Sequence, residues 1–132
     1  MINKFFVYGT LQKGMYNQNF LPEETVISRR DASIKGSLFW VKNGNYPALL
    51  LEGDTVVKGE IVEVKDEFLK EVLKRCDSLE GHPCIYERKV VTIEIDGQKE
   101  QCYTYIFKQY PMLGAEIPSG NYKEEYNILF KR

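Results

Sequence analysis

The chain has 132 residues, the size of one ordinary domain, and a chain of that length buries enough surface to fold without disulfide or metal staples. Hydrophobic residues make up 43% and charged residues 28%, which excludes disordered, collagen-like and coiled-coil classes. Eighteen Lys and Arg against nineteen Asp and Glu give a net charge of −1 with no run of like charges, so neither a phosphate-tracking face nor a nucleic-acid partner is expected.

No apolar stretch approaches the ~20 residues of a membrane span, and the opening residues are too soon interrupted for a signal peptide. A soluble, cytoplasmic protein without membrane association is the expectation. Cys76, Cys84 and Cys102 cannot all pair and no two form a CxxC, and with His82 the only histidine a Cys/His zinc site is not expected. Three reduced thiols are therefore expected.

With no repeat or linker to divide it, residues 1–132 are read as one domain. Residues 4–8 are apolar and aromatic, a buried strand ended by Gly9. Residues 10–31 read as loop with one helical turn near 17–21. A strand over 34–41, the Asn43-Gly44 turn and a returning strand over 46–51 form a hairpin. A turn at Glu52-Gly53-Asp54 separates this from a further strand over 55–64. The period then changes: Phe68, Leu69, Val72, Leu73, Cys76 and Leu79 fall at helical spacing, with Asp66 as the expected N-cap and Gly81 and Pro83 beyond the end. Residues 86–95 and 101–107 flank Asp96-Gly97 as another hairpin. The segment after Gln109, with Pro111, Gly114, Pro118 and Gly120, reads as irregular up to an apolar patch at 128–130. About six strands and one main helix define an α+β class, with the helix against a curled, mostly antiparallel sheet.

No GxSxG elbow, P-loop, GxGxxG or HExxH occurs. Two segments carry chemical interest. In the first, Tyr8, Gly9, Thr10 and Leu11 follow the first strand: Gly9 lets a ligand approach the backbone, and successive N–H groups in such a turn can form a nest for a carboxylate or oxyanion. The ordinary alternative is that strands commonly end at glycine. In the second, Glu80 closes the main helix, where the negative end of the helix dipole raises a carboxyl pKa toward the range a general acid/base needs. The ordinary alternative is a solvated glutamate at a helix end. His82 and Cys84 could in principle pair as a thiol nucleophile and base, but a histidine in a surface loop is the simpler reading.

Taken together, Tyr8-Gly9-Thr10-Leu11, Gly36, Tyr46-Pro47-Ala48-Leu49, Gly59-Glu60 and Asp77-Ser78-Leu79-Glu80-Gly81 with Tyr86 and Arg88 form an ordered set. In this set the chain resembles the gamma-glutamylcyclotransferase-like family over residues 5 to 107, particularly its short bacterial members and the gamma-glutamylamine cyclotransferases. Thr10 stands where some members carry Ser. The resemblance implies a small mixed β-barrel, mostly antiparallel, with a ligand pocket at one end. It implies that the backbone at Tyr8, Gly9, Thr10 and Leu11 binds the carboxylate of a γ-glutamyl substrate, and that Glu80 handles the proton of the substrate's α-amine. The expected products are 5-oxoproline and a free amine or amino acid, formed without metal, nucleotide or redox cofactor, by a monomer. Tyr86, Arg88, Tyr103 and Tyr105 are further candidates for lining or bracing the pocket. A domain of the same fold that binds a small carboxylate without turnover is the alternative.

Overall fold

Strand β1 (Lys4–Val7) is apolar at every position after Lys4 because both of its faces are covered. In the computed structural model, which describes residues 1–130, Phe5 and Val7 point to one side and Phe6 and Tyr8 to the other. The first side is roofed by helix α1 (Leu69–Glu80) through Leu69, Val72 and Cys76. The second fills the concave interior, together with Leu38, Leu49, Ile61, Val91, Ile93 and Ile106.

The other strands are β2 (Val26–Val41), β3 (Pro47–Val64), β4 (Tyr86–Ile95), β5 (Gln98–Phe107) and β6 (Leu113–Glu116). They form one curled sheet in the order β4-β5-β1-β3-β2-β6, a half-barrel whose ladder has β4 and β6 as its edges. All pairings are antiparallel except β1 with β5, in register Phe5↔Tyr103. The α+β class and the mixed, mostly antiparallel barrel-like sheet with one main helix beside it are thus present.

Three local features differ from the sequence reading. Strands β2 and β3 are longer than their apolar patterns suggest, and the expected turn at residues 52–54 is a bulge inside β3: pairing jumps from Gly36↔Thr55 to Ser37↔Leu50. Asp66 does not cap α1. It lies in a 3-10 turn (Asp66–Phe68), which delays the α-helix to Leu69 without a side-chain cap. The segment after Gln109 is ordered rather than irregular. It adds β6 to the edge of β2, and helix α2 (Tyr122–Phe130) then packs Tyr122 against Trp40 with ring centroids 5.4 Å apart.

The end of α1 behaves as read. Gly81 adopts a left-handed conformation (φ 62°, ψ 39°) and its N–H closes the last turn onto Asp77 and Ser78. Helix termination there leaves Glu80 on the final turn, aimed at the end of the half-barrel where β1 stops.

Candidate active site

The chain leaves β1 at Tyr8, turns tightly with Gln12 N–H donating to the Gly9 carbonyl (3.1 Å), and is pinned again where Asn17 N–H meets the Thr10 carbonyl (2.9 Å). Asn17 Nδ2 also donates to Thr10 Oγ1 at 2.9 Å. Among the described residues, no group accepts a hydrogen bond from the N–H of Thr10 or Leu11. Buried N–H groups are seldom left unpaired, so these two donors are available to a ligand.

Both residues line a cavity of about 320 Å³, within the ~300–1,000 Å³ typical of small-molecule sites. Its inner wall is residues 8–11, with Glu80 from the last turn of α1, Tyr86 from the start of β4 and Tyr105 from β5. Tyr16, Tyr46 and Ile85, all substantially exposed, bound the mouth. Tyr8, Gly9, Thr10, Leu11 and Glu80, far apart in the sequence, therefore share one cavity. Of the further candidates, Tyr86 and Tyr105 line it. Arg88 and Tyr103 do not: the Arg88 guanidinium lies over the Tyr103 ring (5.0 Å) and pairs with Asp77 at 2.6 Å.

Glu80 is half-buried, and no described residue forms an ion pair or side-chain hydrogen bond with its carboxylate. Burial pushes its pKa from 4.5 up to about 7. The direction is the one expected of a helix end, and desolvation, which sequence position does not disclose, is its cause here. The tyrosines around Glu80 are pushed the same way and stay protonated. Burial and then the nearby Glu80 charge raise Tyr8, and burial raises Tyr86 and Tyr105. Their hydroxyls serve as struts: Tyr8 donates to the Tyr105 carbonyl (2.7 Å), Tyr86 to the Pro47 carbonyl (2.6 Å), and Tyr105 to Asp77 Oδ1 (2.7 Å). Asp77 in turn is held by Arg88, so the acidic residue one turn before Glu80 is occupied in bracing. His82 is also structural, its Nδ1 accepting from the Arg88 N–H at 2.9 Å.

Gly9 is required for a reason the sequence did not disclose. Its φ is not in the left-handed region, but a Cβ there would lie 2.7 Å from Pro47 Cγ. Pro47 is a buried wall of the cavity, so Gly9→Val should force that wall inward. Overpacking of this kind costs about 1–3 kcal/mol. We expect a lowered melting temperature together with weakened binding of 5-oxoproline by calorimetry; unchanged affinity in a folded variant would count against the segment as a ligand contact. Tyr16, Asn17, Tyr46 and Ile85 were missed as lining residues, because loop positions carry no periodicity. The Tyr46-Pro47 pair beside a turn was the one available signal.

A half-barrel whose end holds a cavity lined by unpaired backbone donors and a half-buried carboxyl is the candidate small-molecule site of this fold. The model of the family described as "Gamma-glutamyl cyclotransferase, AIG2-like" matches residues 5–124, and the chain belongs to that family. A Methanocaldococcus jannaschii protein (MJ1514), provisionally named a gamma-glutamylcyclotransferase, is 32% identical over 123 residues, covering 90% of this chain and 94% of the relative. The gamma-L-glutamyl-butirosin B gamma-glutamyl cyclotransferase of Niallia circulans is 38% identical over 110 residues, covering 79% of this chain and 66% of the relative. Among solved structures, a mouse AIG2-like protein superimposes with a TM-score of 0.68 at 25% identity, covering 86% of this chain and 85% of its own. Among the described residues, no helix is long and apolar enough to cross a membrane.

Proposed function

We propose that the protein cyclises the γ-glutamyl group of a small γ-glutamyl amine or amino acid, releasing 5-oxoproline and the free amine. The observation that carries this reading is Glu80: an unpaired carboxyl with a pKa of about 7, lining one cavity of ligand size with the free N–H donors of Thr10 and Leu11. Family membership and the two named relatives point the same way.

In this reading the N–H groups of Thr10 and Leu11 receive the substrate's carboxylate, and the bound γ-glutamyl chain curls so that its α-amine approaches its own side-chain carbonyl. Both reactants belong to one molecule, so holding that conformation supplies much of the rate. An ammonium cannot attack. Ionised Glu80 takes one of its protons, the amine nitrogen bonds to the carbonyl carbon, and a tetrahedral oxyanion forms. Collapse of that intermediate breaks the bond to the former amide nitrogen, which leaves with the proton Glu80 returns, and the ring nitrogen gives up its second proton to water or the departing amine, leaving a neutral lactam. One carboxyl serves both steps because its pKa lies between those demands. The departing amine extends toward the mouth between Tyr16, Tyr46 and Ile85.

The test is a panel of γ-glutamyl compounds incubated with purified protein, with 5-oxoproline read by mass spectrometry. Binding of 5-oxoproline without turnover of any compound would leave a carboxylate-binding domain instead. Thiol chemistry has no part in this scheme. Burial lifts Cys76 and Cys102 to pKa values of about 12 and about 11, and only Cys84 is exposed. Cys84→Ser should therefore keep wild-type turnover and resist alkylation, whereas an inactive but folded Cys84→Ser would indicate a thiol nucleophile.

A further inference from the structure

Beyond the cavity, the loop after Leu11 is tied down by a chain of groups that the reaction does not use. Glu60 on β3 lies opposite Val7 in the ladder, directly beside the end of β1. Its Oε1 accepts from the backbone N–H of Lys13 (3.0 Å) and from Arg29 Nη1 on β2 (3.0 Å). The next N–H, that of Gly14, donates to Gln18 Oε1 at 2.8 Å, and Gln18 Nε2 donates to Glu23 Oε1 at 3.1 Å. Arg29 Nε stands 3.5 Å from the same Glu23 oxygen, which closes the circuit. Two successive amides of the loop that shapes the binding segment are thus fixed from outside the pocket.

The links are unequal. The Arg29 and Glu60 side chains are only 10% and 13% exposed, whereas Glu23 is 67% exposed. Solvent screening makes the Glu23 link weak, while a nearly buried pair that also holds an amide is strong. Arg29 is moreover committed: among the described residues its buried Nε and Nη2 have no hydrogen-bond acceptor, and Glu60 is its one well-formed partner. A guanidinium kept dry at that cost to hold one carboxylate still is a device for aiming that carboxylate.

We propose that Arg29 and Glu60 are positioning residues that hold the loop at Lys13, keep the N–H groups of Thr10 and Leu11 pointed into the cavity, and so govern substrate affinity and not the proton transfer at Glu80. The inference rests on residues 8–11 being the carboxylate-binding element. Neither residue touches the cavity, so their effect reaches the ligand only through the backbone.

The test compares wild-type protein with Arg29→Met/Glu60→Leu, which removes both charges at similar volume and leaves no buried ion unpaired. A control, Arg30→Met/Glu100→Leu, removes an ion pair that joins β2 and β5 outside the cavity lining. Three quantities are read: hydrogen exchange of the Lys13 amide, the Kd of 5-oxoproline by calorimetry, and kcat and KM for whichever γ-glutamyl compound is turned over. Loss of one charge-assisted hydrogen bond corresponds to about tenfold, so we expect Lys13 exchange, Kd and KM each to rise about tenfold with kcat within about twofold. The control should leave Kd unchanged. Unchanged Kd in a folded Arg29→Met/Glu60→Leu protein, a fall confined to kcat, or an equal loss of affinity in the control would each overturn the proposal. Should the wild type turn over no compound, the cyclotransferase reading fails while exchange and Kd still decide this one. Should Arg29→Met/Glu60→Leu not fold, Arg29→Leu/Glu60→Val, whose β-branched residue suits the strand and which likewise removes the acceptor for Lys13 without leaving a buried ion, is read by the same three measurements and the same criteria.

Discussion

Glu80→Gln should lower kcat/KM by at least about 100-fold, the usual span of a general acid/base contribution, while 5-oxoproline still binds. The amide has nearly the same shape but can neither take the α-amine proton nor return one to the leaving nitrogen. In the wild-type protein the ionised form is the active base. The acid limb of the kcat/KM profile should therefore fall about tenfold per pH unit below an inflection near 7, where burial places this carboxyl. That limb is absent from any residual activity of the variant. Retention of more than a tenth of wild-type turnover by Glu80→Gln would remove Glu80 from the mechanism.

The same substitution should make the protein more stable, and by an amount that depends on pH. Glu80 has a pKa of about 7 in the folded chain and 4.5 when exposed. Below 4.5 it is protonated in both states and costs nothing. As pH rises from 4.5 to 7 the unfolded chain releases the proton and the folded chain keeps it, so stability falls; above 7 the loss is complete. A gap of that size corresponds to about 3 kcal/mol. Glu80→Gln never ionises, so its melting temperature should exceed wild type by roughly 10 °C at pH 8 and match it near pH 4. Groups shared by both proteins cancel in this difference. One is Glu100, which hydrogen bonding to Arg30 holds down at about 2 and whose contribution is lost progressively as pH falls from 4.5 to about 2. Parallel melting curves across this pH range would show that Glu80 is not desolvated. A carboxyl kept ready for proton transfer at the expense of stability is a common trade at functional sites.

Much of the architecture was legible because it rests on short-range rules. The double-faced burial of β1 appears as an unbroken apolar run, α1 as a 3.6-residue period ending at Gly81, and the last hairpin as Asp96-Gly97, both of which take positive φ values of 52° and 76°. What was not legible depends on distant partners. Strand β6 has four residues and pairs only at the edge of β2, and α2 hides its period in Tyr122, Tyr126 and Phe130, whose rings pack on one another and on Trp40. The site divides in the same way. Residues 8–11 and Glu80 stand out by position, one group at a strand end and the other at a helix end. The near-neutral pKa of Glu80, the contact of Pro47 against Gly9 and the Arg29–Glu60 tie come from burial and from neighbours tens of residues away, which no local pattern records.

Strand β1 sits at the centre of the sheet, yet its two neighbours are β3 and β5, and Phe5 meets Tyr103 across almost the whole chain. During synthesis the first strand emerges with neither partner available, and it gains its parallel neighbour only after residues 98–107 follow. Pairings of such long range are slow to form because loop closure must come first. The order of events then favours the β2–β3 and β4–β5 hairpins as early units, with β1 stitching them together last. Since residues 8–11 continue directly from β1, the cavity they line is complete only once β1 has joined both β3 and β5.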